Sequence, residues 1–198
     1  MNRREWFRQI KNWSVMGLVA FIPLIGGRAL YPTPEFKRKG LLRPPGASLT
    51  DSVFIKACIG CGLCGEVCPP KCIKFFKNSG EISQHTPYID PQVKGCILCN
   101  KCIEVCPTNA LVATKVRDVN MGQAKIDRTA CYPWVDRGVC GACVSICPLG
   151  DDAIRFTKGN IYRPKVEKAC VGCGLCVEVC PHPLKPIAVY RTEPVKVS

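Results

Sequence analysis

Sixteen of the seventeen cysteines fall into four compact runs, and thiolates gathered this way are metal ligands or disulfide partners. The first run is Cys58, Cys61, Cys64 and Cys68, followed at once by Pro69. The second is Cys96, Cys99, Cys102 and Cys106 before Pro107. The third is Cys131, Cys140, Cys143 and Cys147 before Pro148, and the fourth is Cys170, Cys173, Cys176 and Cys180 before Pro181. Disulfide frameworks scatter their cysteines across loops and do not repeat one dense unit ending in Cys-Pro. Structural zinc sites usually combine two well-separated cysteine pairs. Neither chemistry accounts for the pattern.

Iron–sulfur chemistry does. Cysteines separated by two, two and three residues, closed by proline, form the ligand run of [4Fe–4S] clusters, whose fourth cysteine serves the other cluster of a pair. All sixteen cysteines are therefore read as ligands, enough for four [4Fe–4S] clusters. The third run is stretched by the eight residues Tyr132–Val139. Cys131 stays in the ligand set because its lead-in, from Ile126, matches the lead-in from Val166 to Cys170. Tyr132 and Trp134 in the inserted loop are expected to pack over the cluster; facing a partner or lining an electron exit are the alternatives. Cys72 is the remaining cysteine. It aligns with Ala110 of the second repeat, and free cysteine behaves as a small buried hydrophobe, so it is read as packing and not as a ligand.

Short elements must hold these runs. The third and fourth cysteines of each run are four residues apart, about one helical turn, so a short helix presents the third to the near cluster and carries the fourth toward the far one. The proline after the fourth ends that helix. Strand candidates follow each run at Ile73–Phe76, Leu111–Thr114, Ile154–Thr157 and Ile187–Tyr190. Apolar residues also precede the runs, at Val53–Ile55, Ile89 with Val93, Ile126 and Val166. The repeating unit reads as strand, cysteine loop, short helix, strand. The expected fold class is α+β: two ferredoxin-like cluster-binding lobes of the βαββαβ type, plus an N-terminal apolar helix. Phe75, Phe76 and Tyr88 are read as core or cluster cover.

The 198 residues carry a formal charge of +13. That figure counts every cysteine as neutral. With sixteen thiolates and cluster cores of about +2 each, the loaded protein falls to roughly +5. No nucleic-acid partner follows from such a charge. The basic start Arg3, Arg4, Arg8 and Lys11 precedes an uncharged, largely apolar run over residues 12–27, the pattern of an export signal. Sixteen residues rise only about 24 Å as a helix, short of a membrane core of about 30 Å, and Pro23 would kink it. The run is followed by no A-x-A cleavage site. An uncleaved membrane anchor is the reading carried forward; an apolar helix docked on a partner subunit and ordinary cleavage are the others. Residues 1–28 are thus assigned as a twin-arginine-like signal or anchor, 29–50 as a proline-rich basic linker of solvated backbone, 51–192 as the polyferredoxin domain and 193–198 as a tail.

Nothing else in the chain does bond-making chemistry. There is no G-x-G-x-x-G fingerprint, P-loop or nucleophile motif. His85 and His182 lack any haem-attachment context and are read as surface or loop residues. The chain is expected to be a non-catalytic electron-transfer subunit of an oxidoreductase complex.

The wider pattern is more specific. It comprises the Arg3-Arg4 start with Trp6-Phe7, Leu42-Arg43-Pro44-Pro45-Gly46-Ala47, Thr86-Pro87-Tyr88, Met121-Gly122 and the stretched third run. Together these resemble the NapG/MauM family of ferredoxin-type proteins. The resemblance implies a four-cluster protein on the periplasmic side of the cytoplasmic membrane. Its partners would be a polytopic membrane quinol dehydrogenase of the NapH type and a periplasmic cytochrome c or reductase. By analogy with related four-cluster subunits, the first run would pair with the fourth and the second with the third, although consecutive pairing leaves similar spacings. An iron–sulfur subunit of a molybdopterin-type oxidoreductase and a cluster-assembly factor are the alternative functions.

Overall fold

A computed structural model of the chain describes residues 40–191 except 49, 78–84, 158, 160 and 161. They belong to a compact unit that begins at Arg38. The expected anchor and the expected tail lie outside the described residues, among which no helix is long and apolar enough to cross a membrane.

The architecture is mixed α/β, with every element short. The first half carries helices α1 (Asp51–Ala57) and α2 (Leu63–Glu66), strands β1 (Ile73–Phe75) and β2 (Pro87–Ile89), and helix α3 (Lys101–Glu104). The second half carries β3 (Gln123–Ile126), α4 (Ala142–Ser145), β4 (Ile154–Phe156), β5 (Pro164–Val166), α5 (Leu175–Glu178) and β6 (Ile187–Tyr190). In the second half the outer strands β3 and β6 pair antiparallel, with buried Ala124 opposite buried Val189, and β4 pairs with β5. In the first half β1 and β2 form the inner pair, with Ile73 opposite Ile89. The outer pair there shrinks to one bridge, Ala47 to Leu111. Pro44 and Pro45 lack the N–H groups a ladder needs, which explains the loss. The strand expected at Leu111–Thr114 is accordingly only that bridge.

Two further expectations change. The apolar lead-in Val53–Ile55, expected as a strand, lies in helix α1. Asp51 and Phe54, three residues apart on one helix face, are both buried, while Val53 between them is exposed. Burial of that single face outweighs the local preference. The linker reading also fails for residues 40–48. Leu42 and Arg43 are fully buried, and Leu42 exchanges two backbone hydrogen bonds of 2.8 Å with Ile89, extending the β1–β2 pair. Proline-rich sequence here is packed, not solvated.

One apolar core runs through both halves, from Leu42, Phe54 and Ile89 to Met121, Val177 and Val189. Burying each of these larger side chains stabilises the unit by about 1.5–3 kcal/mol. Phe76 is buried and stacks on Tyr88 with ring centroids 4.4 Å apart, so it serves the core.

Candidate iron–sulfur centres

Helices α2, α3, α4 and α5 are four residues each and carry Cys64, Cys102, Cys143 and Cys176, the third cysteine of each run. Each helix is capped at its C-terminus by the residue just before the fourth cysteine: Val67, Val105, Ile146 and Val179. One turn of helix is far too short to persist in water alone. Packing, and whatever the thiolates hold, must fix these turns. The loops between cysteines use left-handed backbone. Gly62 and Gly174 have φ of 84°, and Asn100 takes the equivalent position in the second run at 59°.

The structure gathers the sixteen cysteines into four groups, named here I to IV after the run that supplies three members. Cys58, Cys61 and Cys64 line one small apolar cavity together with Cys106 of the second run, forming group I. Cys170, Cys173 and Cys176 line another with Cys147 of the third run, forming group IV. Cys131 and Cys143 lie within electrostatic reach of Cys140 and of Cys180 from the fourth run, forming group III. Cys102 lies beside Cys96 and Cys99, while Cys68 reaches this group II through Cys72, which contacts both Cys68 and Cys96. In groups I, III and IV three cysteines of one run thus meet the fourth of its neighbour, as the spacing predicts, and at group II Cys68 approaches with Cys72 between it and Cys96. The neighbour differs from the one the family analogy implied. Runs pair consecutively, first with second and third with fourth, because each pair shares the sheets of its own half. Cys131 joins its group despite the inserted loop.

These groups fit iron–sulfur clusters. Groups I and IV each bring four thiols from two runs into one apolar cavity, the donor set of one [4Fe–4S] cluster. All seventeen thiols are free of disulfides. Around the sulfurs, backbone N–H groups act as donors. Leu98 N donates to Cys96 Sγ at 3.4 Å and Ala124 N to Cys170 Sγ at 3.5 Å. Gly60, Thr108, Leu149, Leu175 and His182 do the same for the cysteine two residues earlier. Such donors stabilise ligating thiolates and tune a cluster's potential.

Burial alone works against the charge. It pushes Cys64 up to about 11 and Cys102, Cys143 and Cys173 up to about 12, with neighbouring cysteines adding to the shift. Burial also raises Cys58, opposed by the Gly60 N–H and the Arg43 guanidinium. At Cys106 burial raises the thiol too, but the N–H groups of Leu111, Thr108 and Ala110 outweigh it, and the net shift is downward. Bound iron would supply the positive charge that buried thiolates require.

Nearby side chains complete the surroundings. Phe75 lines the group I cavity and so covers that site. The indole N–H of Trp134 donates to the Pro164 carbonyl at 3.0 Å, and Arg128 and Arg163 lie over its ring. Tyr132 packs against His182, and His85 is exposed. The inserted loop is therefore stitched to β5 and to the last cysteine run.

Cys72 is 2% exposed and its Sγ lies 3.5 Å from that of Cys68. Its neighbours are two members of group II, which the comparison with Ala110 did not reveal. Substituting Cys72→Ala is expected to leave the iron content unchanged and to cost about 1 kcal/mol of stability, since one small buried group is lost. Loss of about four irons in that variant would make Cys72 a ligand.

Sequence reasoning also missed Arg43. Its Nε and Nη2 donate to the two carboxylate oxygens of Asp51 at 2.7 and 3.1 Å, and its Nη1 donates to Thr86 Oγ1 at 3.1 Å and to the Pro87 carbonyl at 2.8 Å. Two separated motifs, Leu42–Ala47 and Thr86–Tyr88, meet at this one side chain. The signal was present as an arginine between apolar and proline residues, but the charge disguised it as surface.

Comparison with known proteins finds 4Fe–4S domains over the cysteine runs. A 4Fe–4S dicluster domain model matches residues 57–110 and 95–151, and a 4Fe–4S binding domain model matches residues 164–183. The methylamine utilization ferredoxin-type protein MauM of Methylophilus methylotrophus is 32% identical over 190 residues, covering 90% of this chain and 81% of that protein. MauM of Methylobacillus flagellatus is 33% identical over 190 residues, covering 90% and 79%. The ferredoxin-type protein NapG of Escherichia coli is 34% identical over 154 residues, covering 70% and 65%. With ferredoxin-type iron–sulfur domains across its cysteine runs and this identity over most of its length, the chain belongs to the NapG/MauM family of ferredoxin-type proteins.

Proposed function

We propose that this iron–sulfur electron carrier is a four-cluster relay on the periplasmic side of the cytoplasmic membrane. It takes electrons from a polytopic membrane quinol dehydrogenase of the NapH type and delivers them to a periplasmic cytochrome c or reductase. The observation that carries this reading is the gathering of sixteen cysteines into four groups within one small unit. Each group supplies four thiolates, the complement of one [4Fe–4S] cluster. Cys58, Cys61, Cys64 and Cys106 would hold the first and Cys96, Cys99, Cys102 and Cys68 the second. Cys131, Cys140, Cys143 and Cys180 would hold the third, and Cys170, Cys173, Cys176 and Cys147 the fourth. Each half then forms a ferredoxin-like lobe of the βαββαβ kind. The strand pairing of the second half supports this, with outer strands paired across an inner hairpin.

When bound, such clusters supply one-electron transfer without bond making. The residues of the chain hold them, shield them from water and set their potentials through N–H donors and nearby cations. The basic start and apolar run of residues 1–27 support export and retention as an anchor. That segment is too small to house a quinone site, so a separate membrane partner must oxidise the quinol. The names of the relatives, ferredoxin-type proteins of methylamine utilization and NapG, support a redox relay over a free-standing catalyst.

Fractionation of cells expressing the full chain tests the location. The protein is expected in the membrane fraction, accessible to protease from the periplasmic face, and to co-purify with an integral membrane protein bearing iron–sulfur motifs. Recovery as a soluble cytoplasmic protein would sink the relay. Co-purification with a large molybdopterin-containing subunit would replace it with the oxidoreductase-subunit reading.

A further inference from the structure

The two halves meet at their cysteine groups. Gly95 and Cys96 of the second run lie directly on Cys173, Gly174 and Leu175 of the fourth. Cys96 N donates to the Cys173 carbonyl at 2.8 Å, a backbone hydrogen bond between a member of group II and a member of group IV. The Gly95 N–H donates to Glu178 Oε2 at 2.7 Å, and Lys94 Nζ pairs with Glu178 Oε1 at 2.8 Å. Gly95 has no room for a side chain. A Cβ there would sit 2.6 Å from Leu175 N and 2.8 Å from its Cα. Backbone meets backbone, held by one carboxylate.

Within each half the helices that carry the third cysteines pack on one another, α2 with Cys64 on α3 with Cys102, and α4 with Cys143 on α5 with Cys176. We infer that the cysteine groups are strung in the order I–II–IV–III, with the Cys96–Cys173 contact as the junction between halves and Glu178 as the residue that positions it. Chain order and spatial order therefore differ. The last run in sequence sits in the middle, and groups I and III are the two termini.

This inference rests on the four-cluster reading but not on any membrane or periplasmic partner. Its test is the electron paramagnetic resonance of the purified, cluster-loaded full chain after dithionite reduction, because neighbouring reduced clusters split one another's signals. Cys99→Ala, which removes a group II ligand, should abolish splitting of the group I signal, remove the II–IV contribution to the group IV signal while its splitting by group III remains, and leave group III as in the parent. Cys140→Ala, in group III, should alter group IV alone. An unchanged group IV signal in Cys99→Ala, or a changed one in Cys61→Ala, overturns the order.

Variants that touch no ligand provide the second arm. Glu178→Ala and Gly95→Ala should lose the II–IV splitting while the I–II and III–IV splittings persist. Glu178→Gln, still able to accept the Gly95 N–H, should restore it. If Glu178→Ala leaves the II–IV splitting intact, Glu178 has no positioning role. Iron analysis separates the two levels of failure. Iron for fewer than four clusters in the parent protein counts against the four-cluster reading itself, whereas full iron with the wrong pattern of lost splitting counts against the order alone.

Discussion

Cys64→Ser and Cys106→Ser, forty-two positions apart, are expected to lose the same cluster, each variant retaining about four fewer irons per chain than the parent. The reason is the shared cavity, in which Cys58, Cys61 and Cys64 face Cys106 and no other cysteine. Cys180→Ser should instead remove the signal of group III, where it lies with Cys131, Cys140 and Cys143. The nested pairing implied by family analogy makes the opposite prediction, that Cys64 and Cys180 act together. Resonance spectra of the three variants, with iron counts, decide between them. A common lost signal for Cys64→Ser and Cys180→Ser would overturn the grouping described here. Stability should fall as well. Removing the metal leaves a one-turn helix, a set of buried thiols with raised pKa and no ligand bonds to offset their desolvation. The first half is expected to open to protease before the second does.

How much of this was legible in the sequence depended on how local each signal was. The cysteine runs are self-contained, since ligand spacing and the closing proline follow from one turn of helix. They led directly to iron–sulfur chemistry, to the helices α2 to α5 and to the three-to-one division of cysteines between groups. Strands β1, β4 and β6 were legible from their short β-branched runs. The pairing of runs was not, because any two cysteine-proline units can exchange their fourth ligands. What selects the partner is the sheet pairing of each half and the packing of its helices, which is long-range. Val53–Ile55 misled for a related reason. Its strand-like composition lost to the burial of Asp51 and Phe54 on one helical face. Residues 40–48 misled more deeply. Proline and arginine are ordinarily markers of solvated chain, yet Pro44, Pro45 and Arg43 are among the most completely buried side chains of the unit. Their role became visible only once Asp51, Thr86 and Pro87 were found around the guanidinium.

That cluster yields the other large effect. Arg43 and Asp51 are both 0% exposed and joined by two hydrogen bonds, with the Arg43 guanidinium also 4.9 Å from the Phe54 ring centroid. Taking two charges out of water costs several kcal/mol per ion, and the fork geometry returns most of that cost. Removing one partner leaves the other charged and buried. Arg43→Ala or Asp51→Ala is therefore expected to destabilise the unit by about 3–5 kcal/mol. For a chain of this size that lowers the thermal midpoint by roughly 6–20 °C. Arg43→Lys should recover only part of the loss, because an ammonium cannot span both carboxylate oxygens while also serving Thr86 and Pro87. The double variant Arg43→Met with Asp51→Leu should recover most of it, since an apolar pair of similar volume carries no desolvation cost. Thermal midpoints of the loaded variants, read with iron release, make the comparison. If the double variant is as unstable as the single ones, packing and not charge explains the site. The group I signal provides an independent check on the same side chain. Arg43 is a cation near Cys58, and its loss in Arg43→Met, with Asp51 retained, should shift the group I potential downward while the other groups stay in place. One residue thus ties together the proline-rich entry, the Thr86–Tyr88 segment and the first cysteine group, which is why a stability measurement and a redox titration should both report on it.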